Sequence, residues 1–123
     1  MNSDDERAPA VQHADDAAES IRSLVDATHA ANLPAPLVYD VLGNLKGVGH
    51  RLPEALQHLA SGLGRSLDQY DVKEDDGRDP VQSIATATDH LTRAAQLADQ
   101  LGDELDKAQG AIRGQGYRPA PTE

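Results

Sequence analysis

Residues 80–112 read PVQSIATATDHLTRAAQLADQLGDELDKAQGAI, and their spacing decides the fold. With Ile84 as position a of a seven-residue repeat, the a sites are Ile84, Leu91, Ala98, Leu105 and Ile112. The d sites are Ala87, Ala94, Leu101 and Ala108. None is polar. The opposite b, c and f sites carry Thr86, Asp89, Thr92, Arg93, Gln96, Asp99, Gln100, Asp103, Asp106 and Lys107. A 3.5-residue period kept this long predicts one helix with one apolar seam. At roughly 1.5 Å per residue that helix is about 50 Å long. Its seam needs other helices against it, from the same chain or from a partner. Asp79-Pro80 fits as N-cap and first helical residue, and Gly110, Gly114 and Gly116 close the segment.

Upstream lies a charged turn, Asp71 to Asp79. Before it, Pro53 fits the first turn of a helix whose stripe is Leu56, Leu59, Leu63, Leu67 and Tyr70. Gly62 and Gly64 weaken that helix by about 1 kcal/mol each and offer room for a neighbouring backbone. A short helix is expected from Pro36 to Leu42, with Leu37, Val38, Val41 and Leu42 inward, broken by Gly43, Gly47 and Gly49. The first helix begins near Pro9 and shows Val11, Ala14, Ala18, Ile21, Val25 and Thr28 on one face, with Ala17 and Leu24 beside them. Asn32 is its expected cap before the Leu33-Pro34-Ala35-Pro36 bend. The expected fold is all-α, a small antiparallel bundle of about four helices with a long C-terminal amphipathic helix. Its expected organisation is a disordered acidic N-terminus over 1–8, a bundle domain over 9–113 and a flexible tail over 114–123.

Composition narrows the function. A chain of 123 residues is normally one domain. Leu, Val and Ile total 24 of those residues and Phe and Trp are absent, so the core is thin and burial against a partner matters. The net charge of −10 repels phosphate backbones and anionic lipid surfaces, which argues against direct nucleic-acid or membrane binding. The charge is uneven: residues 33–67 carry Asp40 and Glu54 against Lys46, Arg51 and Arg65, a near-neutral stretch suited to contact. The absence of Cys excludes disulfides and thiolate metal sites. No apolar run approaches the roughly 20 residues of a membrane span. The acidic start lacks the apolar core of a signal peptide, and a cytoplasmic location is expected.

Sites of chemistry fail on spacing. His13, His29, His50, His58 and His90 include no i, i+4 pair, so no metal is expected. The acidic turn is no calcium loop, because Lys73 and Gln82 stand where acidic ligands belong. Gly43 to His50 lacks the Lys-Ser/Thr ending of a phosphate loop, so no cofactor is expected. No G-x-S-x-G elbow occurs, and Asp99, Asp103 and Asp106 form a solvated polar face. No catalytic residue emerges, and the chain is not expected to be an enzyme.

What remains is protein–protein contact, with another protein or a second copy. The expected interface is Leu91, Leu97, Leu101 and Leu105, with the neutral Gly-bearing turn as the second candidate. Size, alanine content and heptads are similar to those of secreted WXG-type helical hairpins. The motifs differ, since no Trp-x-Gly occurs and the fourth residue after Tyr117 is Pro121 rather than an acid. An acidic inhibitor that imitates nucleic acid is the remaining alternative.

Overall fold

A computed structural model describes residues 8–116 and 118–120; residues 1–7, 117 and 121–123 lie outside it, and with them most of the acidic N-terminus and part of the expected tail. The described residues form three α-helices and no strand: α1 (Pro9–Thr28), α2 (Ala35–Gln69) and α3 (Pro80–Ala111). The chain divides into two compact units, residues 1–33 and 34–123.

The first unit contains α1. Pro9 opens it, as its sequence predicts, because a proline at N1 surrenders an N–H that has no helical partner anyway. The helix ends at Thr28, four residues before the expected Asn32 cap, and Ala30 adopts a left-handed backbone at φ 56°. α1 buries no residue, so Val11, Ile21 and Val25 are exposed on its apolar face.

The second unit is an antiparallel hairpin of α2 and α3. The expected count of about four helices is corrected here, because the segments over 36–42 and 53–70 are one continuous helix. Gly43, Gly47, Gly49 and Pro53 all lie inside α2. In isolation each glycine costs about 1 kcal/mol against Ala, and an internal proline costs about 3 kcal/mol. The helix survives because its packing runs through them. Tyr39, Leu42, Lys46, Gly49, Pro53, Leu56, Ala60, Leu63 and Leu67 recur at alternating steps of three and four, and all are withdrawn from solvent. A helix break at 43–49 would throw the two halves of that stripe out of phase. Tertiary contact therefore overrides local propensity.

The α3 boundaries follow the sequence. The Asp79 side chain accepts from the Val81 N–H at 3.0 Å, with Pro80 next to it. Gly114 sits just beyond the helix at φ 81°. The seam of α3, however, is rotated from expectation. Its withdrawn residues include Ile84, Thr88, Leu91, Ala95, Ala98, Gly102, Leu105, Gln109 and Ile112. These are the a sites joined by the e sites; of the expected d sites, Ala87 and Ala94 are half-buried, whereas Leu101 and Ala108 are exposed. The reason is size. Ala95 and Gly102 let α2 approach closely, and leucine at position 101 would not.

Closest approach falls at Gly49 and Gly102. A Cβ on Gly49 would stand 2.9 Å from the Gly102 Cα and N and 3.1 Å from the Ala98 carbonyl oxygen. The two backbones are therefore in direct contact. Nothing lies within 4 Å of a Cβ on Gly64, and Gly62 meets only the Arg65 side chain, so close approach belongs to Gly49 and not to the later glycines. Away from this crossing the core is as thin as the composition implies: no large side chain is fully buried among the described residues.

Candidate interaction face of the hairpin

Two helices in contact leave two lateral edges, and their chemistry here is opposite. The first edge is fixed by His50, one residue after seam residue Gly49, and by Asp99, one residue after seam residue Ala98. Asp99 Oδ1 accepts from His50 Nδ1 at 3.1 Å, and His50 Nε2 lies 3.6 Å from Asp103 Oδ1. The His50 ring lies over Gly102, where any Cβ would meet its ring atoms at 2.9 Å. Gln57 and Thr92 line a shallow hollow on the same edge. Nearby, Lys46 Nζ donates to Asp106 Oδ1 at 2.7 Å and holds that carboxyl below the ordinary aspartate range, first by the hydrogen bond and then by its charge. At the open end the buried Gln109 amide donates to the Tyr39 carbonyl at 2.9 Å. This edge is polar and cross-linked.

The opposite edge holds the residues that precede the other seam positions. From α2 these are Leu45, Leu52 and Leu59; from α3 they are Ala87, Ala94, Leu101 and Ala108. In an antiparallel helix pair these two rows flank the same side, just as the His50 and Asp99 rows share the other. Val41, Val48 and Ala55 extend the edge outward on α2, and Leu97 does so on α3. Leu59 is 54% exposed, Leu101 52% and Leu97 64%. On α2, Val41, Leu45, Val48, Leu52, Ala55 and Leu59 again alternate steps of four and three. α2 therefore carries two heptad stripes, one against α3 and one that is half-buried at Val41 and Leu45 and exposed from Val48 to Leu59.

Charge follows the same division. On α2 and α3 the carboxylates Asp40, Glu54, Asp89, Asp99, Asp103 and Asp106 lie toward the polar edge by their helix positions. Glu104 is the exception, and Lys107 reaches it at 3.2 Å. Bordering the second α2 stripe is a row seven residues apart: Arg51, His58 and Arg65. Neither arginine has an ion-pair partner among the described residues. The apolar edge of a strongly acidic chain is thus rimmed by positive charge.

The four leucines expected to act together are divided by the structure. Leu91 and Leu105 belong to the α2–α3 seam, half-buried beside Ala95, Ala98 and Gly102. Leu97 and Leu101 stand exposed on the apolar edge. The α2 half of that edge was missed in sequence because the helix was broken at Gly43–Gly49. The signal was present nonetheless, since the 4–3 spacing from Val41 to Leu59 continues straight through the glycines. The neutral turn named as the second candidate is helical and contributes Val48 to the edge.

Among the described residues, no group of three or more metal-ligating side chains is placed to hold an ion, and no helix is long and apolar enough to cross a membrane. The 71–79 turn is organised by its own contacts. Asp76 accepts from the Arg78 N–H at 3.1 Å and pairs with its guanidinium at 2.6 Å, which together lower the Asp76 carboxyl below its usual range. No family model, curated protein or solved structure matches the chain.

Proposed function

We propose that this protein is a helical protein–protein interaction module that works by binding and not by catalysis. The observation behind this reading is the apolar edge of the hairpin, which sets Leu52, Leu59, Leu97 and Leu101 in solvent along two adjacent helices. Contiguous apolar surface of this kind marks a contact site. Supporting it is the thin core, since a unit without one fully buried large side chain gains stability from any partner that binds its folded form. In this reading the face takes Leu97 and Leu101 with Leu52 and Leu59, which are exposed, while Leu91 and Leu105 are half-buried on the seam side. Sedimentation of the full chain tests this. Leu101→Asp is expected to abolish association while leaving far-ultraviolet circular dichroism unchanged. Association that survives Leu101→Asp but disappears in high salt would favour the acidic edge, and with it imitation of nucleic acid, over the apolar one.

A second reading draws on the long antiparallel hairpin itself, the shape expected of a secreted helical-hairpin substrate. Recovery of the full chain from culture medium of an intact host, with a cytosolic marker retained in the cells, would favour it.

A further inference from the structure

We infer that the apolar edge of the hairpin receives α1 of a second copy of this chain, giving a reciprocal dimer in which each first helix completes the partner's bundle. The inference rests on the interaction reading above and names its occupant.

The edge wants a third helix. A groove between two antiparallel helices, floored by Leu45, Leu52 and Leu59 on one side and by Ala94 and Leu101 on the other, matches the a/d stripe of one more helix. Its rim excludes another hairpin laid face to face. Such a pairing would bring the Arg51 and Arg65 rims of the two copies together, and like charges so placed are unfavourable. The fitting occupant is an amphipathic helix with an acidic flank.

α1 has those properties. Val11, Ala14, Ala18, Ile21, Val25 and Thr28 alternate steps of three and four, and the helix buries none of its residues. At roughly 1.5 Å per residue its 20 residues span about 30 Å, close to the length of the groove from Val41 to Leu59. One flank carries Asp15, Glu19 and Asp26, with Arg22 held by Glu19. The helical wheel then fixes direction. With the α1 apolar stripe in the groove, the acidic flank faces the Arg51–His58–Arg65 row only when α1 runs parallel to α2. The opposite direction sets it against α3, which offers one arginine, Arg93, hydrogen-bonded to His90, and a Lys107 already paired with Glu104, against two α2 arginines with no ion-pair partner among the described residues. Residues 29–34 are too few to return a helix of about 30 Å alongside α2 in the parallel sense. The helix that meets both the apolar and the charge requirement therefore comes from another molecule.

The test is complementation with full-length chains, read by light scattering on size exclusion and by circular dichroism. Wild type is expected at twice the chain mass. Leu52→Asp breaks the groove and leaves α1 intact, whereas Ile21→Asp does the reverse. Each alone is expected to run as a monomer with retained helicity. Mixed, they are expected to regain the dimer mass, because one undamaged α1 meets one undamaged groove. Should Leu52→Asp lose helicity, Leu97→Asp serves as the groove variant, since that side chain is mostly exposed. Wild type that stays monomeric at all concentrations overturns the proposal. Dimers that persist in Ile21→Asp but are lost in Leu52→Asp overturn it too, while leaving the apolar edge as the contact face. Dimers indifferent to both substitutions overturn the inference and, with it, the apolar edge as the contact face.

Discussion

The two edges of the hairpin are built by the same pair of helices, yet one is stitched and the other is bare. Along the polar edge, His50, Asp99, Asp103, Lys46 and Asp106 bridge α2 to α3. Along the apolar edge, leucine and alanine rows lie side by side with nothing across them in the hairpin. The difference places the polar bridges and the close-packed seam in separate roles: the bridges join exposed side chains, whereas stability rests on the seam between the edges. Exposed ion pairs are weak, while close packing of Gly49 on Gly102 decides whether the two backbones can meet at all.

The largest effect is expected from closing that approach. Gly49→Leu would drive a side chain into the Gly102 backbone and should cost about 3 kcal/mol, the upper part of the overpacking range. Both edges would be lost together, and urea unfolding followed by circular dichroism would show the midpoint fall. An unchanged midpoint would mean that the helices do not touch there.

Next comes a contrast between seam and edge. Leu105→Ala removes a half-buried seam residue and should cost about 2 kcal/mol, near the lower end for such changes. Leu97→Ala should stay within about 0.5 kcal/mol in the dissociated chain, as surface changes do, while weakening association. Equal costs for the two would erase the distinction between seam and edge.

Pro53 offers a smaller change of opposite sign. It lies inside α2 on the seam and denies the Gly49 carbonyl its helical donor. Pro53→Ala should raise stability by about 1 kcal/mol, the backbone gain less the lost ring packing. A fall in melting temperature would show instead that the proline shapes α2 to fit α3.

The smallest effect belongs to the polar edge and depends on pH. Lys46 holds the Asp106 carboxyl below the ordinary aspartate range, so the folded form binds this proton less readily than the unfolded chain does. Its contribution is present above the ordinary value near pH 4 and is lost as pH falls through the lowered one. Asp106→Asn should therefore lower the melting temperature slightly at pH 7, with the gap closing on acidification below about pH 4. A gap that persists there would assign the loss to something other than charge.

Much of this was legible beforehand. The last helix was readable from Asp79 to its glycines because its cap, its opening proline and its period agree. The α1 start was readable for the same reason. The continuity of α2 was not, because glycine and proline report local cost while the compensating contact lies across the hairpin at Gly102. The choice between a–d and a–e seams on α3 was likewise hidden. It turns on how near a second backbone can come, which residues 80–112 alone do not reveal. Leu101 is legible as a d site and Leu97 with it as part of the expected interface, but Leu52 and Leu59 across the edge required an unbroken α2.

The clamp between Gln109 and Tyr39 has a kinetic consequence. Those two residues are 70 positions apart and sit at the open end of the hairpin, whereas the 71–79 turn joins the helices at the other end. Contacts near the turn enclose short loops, and those at the open end enclose the longest, so the helices zip from the turn outward. Gln109 is then among the last groups to dock and among the first to release. Removing its amide should hasten unfolding and leave the folding rate almost untouched. Backbone amides of α2 should accordingly exchange with solvent in a gradient, fastest around Tyr39 and slowest beyond the Gly49 crossing.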